Sequence, residues 1–81
     1  MKHYVVVLDW ARDYESSVII LGVKHTLEEA KELFNAQLSD ERIFVENNGY
    51  DIDTDTDTMF DAGEMGYWSR EHITLRIQEV E

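Results

Sequence analysis

Thr26-Leu27-Glu28-Glu29 fixes one point in an otherwise strand-rich chain: a hydroxyl followed three residues on by a carboxylate is a capping box, the start signal of a helix. Leu27, Ala30, Leu33, Phe34 and Leu38 follow at helical spacing, which predicts a helix over about 27–38. Ser39-Asp40-Glu41 either continues it or opens a second short helix through Ile43, Phe44 and Val45. Asn47-Asn48-Gly49 is the stop, because Asn and Gly tolerate a left-handed backbone.

The flanking segments carry the period of strands. Residues 3–9 are β-branched and apolar and read as a buried strand, residues 11–16 as a turn, and residues 17–24 as a second buried strand. Gly22 within that second run predicts a bulge or a close backbone approach. Residues 72–80 alternate, with Ile73, Leu75 and Ile77 inward and Thr74, Arg76 and Gln78 outward. Ala62-Gly63-Glu64-Met65-Gly66 reads as a turn. The expected fold is α+β: one antiparallel sheet of four to five strands with a single main helix on one face, in strand-strand-helix-strand-strand order. The whole chain, 1–81, is one small domain.

Residues 50–60, YDIDTDTDTMF, alternate strictly. As one strand they would place Asp51, Asp53, Asp55 and Asp57 on one face and Ile52, Thr54, Thr56 and Thr58 on the other, although Asp is a poor strand former. Carboxylates so arranged would stand about 6.6–6.8 Å apart. Between residues 40 and 64 there are nine acids and one base, Arg42, a net of −8 within a chain of net charge −11. The charge is therefore patched.

Such a row is open to three readings. It resembles a line of phosphates, and a groove of Lys and Arg built for nucleic acid would accept it. This reading makes Asp51, Asp53, Asp55, Asp57, Asp61 and Glu64 a partner-binding surface, extended by Glu28, Glu29 and Glu32, with Tyr67 and Trp68 adding apolar contact of the kind that dominates interfaces. The second reading is a calcium loop, in which Asp53, Asp55, Asp57, Asp61 and Glu64 stand at EF-hand ligand offsets. Against it, Thr58 occupies the position where that loop needs Gly, and no helices flank the segment. The third reading is solubility alone.

Other functions find less purchase. The chain has no cysteine, which excludes disulfides, thiol catalysis and cysteine-bound zinc. His3, His25 and His72 are scattered along the sequence, no serine has a base placed beside it, and no phosphate loop is present. We therefore expect no enzyme and no cofactor. Net charge −11 repels nucleic acid and anionic membrane, so the expected partner is a basic protein rather than nucleic acid itself. Without a secretory pattern or a spanning run the expected location is the cytoplasm. A homodimer is also open, through the first or last strand of a small sheet.

The stretch from Thr58 to Trp68, with Glu71-His72-Ile73-Thr74-Leu75 after it, and the pairing of the N-terminal strand with a TLEEAKE-type helix, resemble small uncharacterised proteins of Gram-positive bacteria and their phages. The resemblance covers most of the chain, and those proteins supply no agreed activity to carry over. In size and acidity alone the chain is also similar to phage-encoded inhibitors of host defence, including anti-CRISPR proteins that mimic DNA. That likeness carries no motif and transfers no functional residue.

Overall fold

Thr26 caps the helix as its sequence requires, in an extended backbone conformation and with its Oγ1 accepting from the Glu29 amide. The hydroxyl in turn donates to Glu29 Oε1 at 3.0 Å, so the carboxylate closes the motif on the side chain of Thr26. In the computed structural model, which describes residues 1–12, 15–65 and 70–81, the helix α1 runs unbroken over Leu27–Asn48. The segment after Leu38 thus continues the first helix. Gly49 ends it at φ 66°, with its own amide bonded to the Glu46 carbonyl and the Tyr50 amide to that of Val45, the paired bonds of a Schellman stop.

The strands are β1 (His3–Arg12), β2 (Glu15–Lys24), β3 (Asp51–Asp55), β4 (Met59–Gly63) and β5 (His72–Val80). They form one antiparallel sheet in the order β2-β1-β5-β4-β3. Helix α1 packs on one face against β1, β2, β4 and β5. The α+β fold expected from sequence is the fold observed. The first and last strands, β1 and β5, are both interior, so neither offers a free edge for dimerisation.

The core lies between α1 and the middle of the sheet. Val6, Leu8, Phe60, Ala62, Ile73 and Leu75 meet Ala30, Phe34 and Val45 of the helix. Phe34, Phe60, Leu75 and Val6 are fully buried, and each such side chain contributes about 1.5–3 kcal/mol by leaving water.

Four expectations change. Ala11, Arg12, Glu15 and Ser16, expected in a turn, belong to β1 and β2. Residues 50–60 are two strands joined by a turn at Thr56, Asp57 and Thr58. Thr56 Oγ1 makes that turn by accepting from the amides of Thr58 and Met59, while the Thr56 amide bonds the Met59 carbonyl. Ala62 and Gly63, expected in a turn, belong to β4, where Phe60 and Ala62 alternate onto the helix face. Strand β2, expected to be buried, is an edge strand with Val18, Ile19, Ile20 and Val23 exposed. Val18, Ile20 and Val23, paired with Asp9, Val7 and Val5, lie on the face away from the helix, and an edge strand has a neighbour on one side only.

Gly22 meets both halves of its expectation. The β1–β2 register shifts there, from Val6 opposite Gly22 to Val7 opposite Ile20, which leaves Leu21 as an extra residue. A Cβ on Gly22 would stand 2.7 Å from Leu33 Cδ2, so the helix rests directly on this backbone.

Candidate interface at the acidic edge

Strand β3 carries the aspartate row to the outer edge of the sheet, opposite β2. The row does not stay on one face. Ile52 lies opposite Ala62 and Thr54 opposite Asp61, so Asp53 is an extra, bulged residue and the alternation reverses there. Asp51, opposite Gly63, lies on the open face, whereas Asp55, opposite Phe60, lies on the helix face. Asp57 stands in the turn with a side chain 90% exposed.

One helix cation holds this edge and a second lies near it. Arg42 Nη2 donates to Asp55 Oδ1 at 2.7 Å, and its guanidinium lies 5.1 Å from the Phe60 ring centre. The hydrogen bond and the adjacent positive charge hold the Asp55 carboxyl below the usual carboxylate range, and the same bond raises Arg42. Lys31 Nζ approaches Asp57 Oδ2 at 3.9 Å. Helix and aspartate hairpin are thereby joined into one surface.

The other expected residues divide. Asp51 and Asp53 are exposed on β3, and Glu64 is exposed just past β4, its amide bonded to the Glu71 carbonyl. Asp61 is only 9% exposed, on the face away from the helix beside its paired residue Thr74. Asp61 Oδ1 and Thr74 Oγ1 have no hydrogen-bond partner among the described residues. Burial takes Asp61 off the docking surface. Tyr67 and Trp68 lie outside the described residues. Glu28, Glu29 and Glu32 are exposed on α1.

No family model, curated protein or solved structure matches the chain. The geometry of the site is therefore what any functional reading must stand on.

The calcium reading requires Asp53, Asp55, Asp57, Asp61 and Glu64 to converge. Strand, turn and strand separate them, and among the described residues no three His, Asp or Glu side chains are grouped to hold a metal ion. His3 and His25, distant in sequence, do meet, with ring centres 5.2 Å apart. A cleft of about 380 Å³ opens between β1 and α1, lined by Leu8, Trp10, Arg12, Asp40, Glu41, Phe44 and Ile73. Arg12 lies over the rings of Trp10 and Phe44 there. Among the described residues its lining has one cation and two carboxylates but no Ser, Thr, Cys or His to act as nucleophile or imidazole base. No helix among the described residues is long and apolar enough to cross a membrane.

Charge separates along the sheet more sharply than composition suggests. Residues 28–64, which form α1, β3 and β4, hold twelve acids against Lys31 and Arg42, a net of −10. Residues 1–27, which hold β1 and β2, have three acids and three bases and no net charge. One edge of the molecule and the outer face of its helix are thus anionic, and the other edge is neutral.

Proposed function

We propose that the chain is a non-enzymatic binding protein that docks its acidic edge on the basic groove of a nucleic-acid-binding protein and keeps nucleic acid out. This is the action of the anti-defence inhibitors that the chain resembles in size and charge, and the partner it requires is met in the cytoplasm. The observation that supports it is the segregation of −10 onto α1, β3 and β4. Charge gathered on one side steers association with a cationic surface; spread charge would serve solubility equally well. The docking residues are the exposed carboxylates Asp51, Asp53 and Asp57, with Glu64 and, on the helix, Glu28, Glu29 and Glu32 beside them. Asp55 is neutralised by Arg42 and serves to hold the edge.

The experiment is a capture with tagged protein from the cell that makes it, washed at low and then high salt. The expected product is a nucleic-acid-binding protein released by salt and displaced by duplex DNA. If Asp51→Asn/Asp53→Asn/Asp57→Asn binds that protein as well as wild type does, the proposal fails.

The position of β3 favours a second reading. Charged residues on an outer strand block pairing with other sheets, and β3 is such a strand. On that reading the triple variant associates further than wild type, and no partner is lost.

A further inference from the structure

The two edges of the sheet are built differently. β3 is short and carries Asp51, Asp53 and Asp55, whereas β2 has ten residues with charge only at its ends, Glu15 and Lys24. Between them Val18, Ile19, Ile20 and Val23 are 64%, 41%, 64% and 54% exposed. Edge strands are commonly guarded by inward charges, Lys or Pro. Residues 16–23, SSVIILGV, contain none of these.

The charges of β2 are placed with a parity that matters. Glu15 lies opposite Arg12 and Lys24 opposite Tyr4. Arg12 and Tyr4 both face the helix side, Arg12 over Phe44 and Tyr4 against the core. Glu15 and Lys24 therefore share that face. Their odd separation would put them on opposite faces of a regular strand, and the extra residue at Leu21 brings them together. Neither makes an ion pair among the described residues.

We infer that β2 is the contact between two copies of this chain, paired antiparallel about a two-fold axis at Ile19. In that register Glu15 faces Lys24 of the second copy, Ser17 faces Gly22, Val18 faces Ile20 and Ile19 faces itself, with Leu21 the extra residue in each strand. Every pair lies on a common face, and both end charges are matched. A chain of net charge −11 opposes its own association. Residues 1–27, which hold β1 and β2 and carry no net charge, are where two copies meet without bringing their −10 segments together. The product is a continuous ten-stranded sheet with the acidic β3 edges at its outer ends, roughly 40 Å apart at about 4.8 Å per strand. The inference stands independently of what the acidic edge binds.

Sedimentation equilibrium on the full chain, with charge-swap variants, tests it. The expected wild-type mass is twice the 9.5 kDa of one chain. Glu15→Lys and Lys24→Glu each turn two matched pairs into two like-charge pairs and should weaken the dimer about tenfold, while Glu15→Lys/Lys24→Glu restores it. The chain has no cysteine, so Ile19→Cys should give a covalent dimer on oxidation, because paired Cα atoms in an antiparallel ladder stand within disulfide reach. Ser16→Cys, which faces Val23, should not. A monomer at millimolar concentration overturns the inference. So does a dimer that neither responds to the charge swaps nor cross-links at position 19.

Discussion

Arg42 Nη2 of α1 donates a 2.7 Å hydrogen bond to Asp55 Oδ1 at the end of β3 while its guanidinium covers the ring of the fully buried Phe60. This one side chain bonds the outermost strand to the helix. β3 shares its ladder with β4 alone, and α1 packs mainly on the other four strands. The Arg42–Asp55 pair therefore bridges a part of the fold that packing serves least.

Arg42→Ala should accordingly destabilise the protein by about 1 kcal/mol, from a half-exposed ion pair and a cation–π contact. Asp55→Asn should cost less, since the ring contact survives. The double variant should cost less than the sum of the two. Urea denaturation of the four proteins checks this. Strict additivity would show that the pair does not couple.

Acid should act on the same pair. Arg42 holds the Asp55 carboxyl below its ordinary value, chiefly through the hydrogen bond. A depressed carboxylate stabilises the folded state above its unfolded pKa, near 3.9, and that contribution disappears as pH falls through the lower folded value. Wild type should lose stability more steeply than Asp55→Asn below about pH 5. Both groups are over a third exposed, so salt should reduce the difference. Parallel stability curves for the two proteins below that pH would refute it.

What was legible in the sequence was local. Thr26 and Glu29, Gly49 after two Asn, the alternation of β5 and the bulge at Gly22 each depend on neighbours within a few residues. The hairpin of β3 and β4 was hidden because no Gly or Pro marks its turn, which is made by bonds to the Thr56 hydroxyl. The strict Asp-Thr alternation then suggested one strand where the structure has two. The reversal at Asp53, which sends Asp55 to Arg42, depends on register against β4. Exposure of β2 depends on strand order, since Val-Ile-Ile reads alike in a central strand and in an uncovered edge.

Gly22→Ala tests the contact between helix and β2. The new Cβ would meet Leu33 Cδ2 at 2.7 Å, a distance that forces Leu33 or the helix to move. Overpacking of this kind costs about 1–3 kcal/mol, and the lower end applies because the struck atom is the tip of a side chain. Adding Leu33→Ala should make the Gly22→Ala change less costly than it is alone. Thermal denaturation of the set would expose the idea as wrong if Gly22→Ala cost the same in both backgrounds.

Alkali should act through Tyr50. Burial pushes this phenol up, and its hydrogen bond to Glu71 adds to the effect. The unfolded chain then ionises Tyr50 first, near pH 10. Stability from this group is full below that pH and is lost as pH rises through the folded value. Tyr50→Phe should remove part of the alkaline decline while lowering stability at neutral pH through loss of the bond to Glu71. Measuring the urea midpoint at neutral pH and above pH 10 separates the two effects; an unchanged alkaline slope in the variant would dismiss this role.

The acidic edge can be questioned with a single variant, Asp51→Asn/Asp53→Asn/Asp57→Asn, because docking and edge protection predict different losses. These three carboxylates are exposed, and the variant leaves the Arg42–Asp55 pair in place. Removing like charge from one edge relieves repulsion, so the folded state should be as stable as wild type or slightly more so. If the edge docks on a basic protein, affinity for the captured partner should fall at least tenfold. The residual binding should also depend less on salt, since fewer charges take part. If the edge only prevents pairing, affinity should hold while the variant forms oligomers larger than wild type through β3, which Lys substituted at Ile52 should suppress. Salt-dependent binding and sedimentation of the same preparation distinguish the two. Unchanged affinity in a variant no more associated than wild type would leave the carboxylates as solubilising charge and would remove the support for docking.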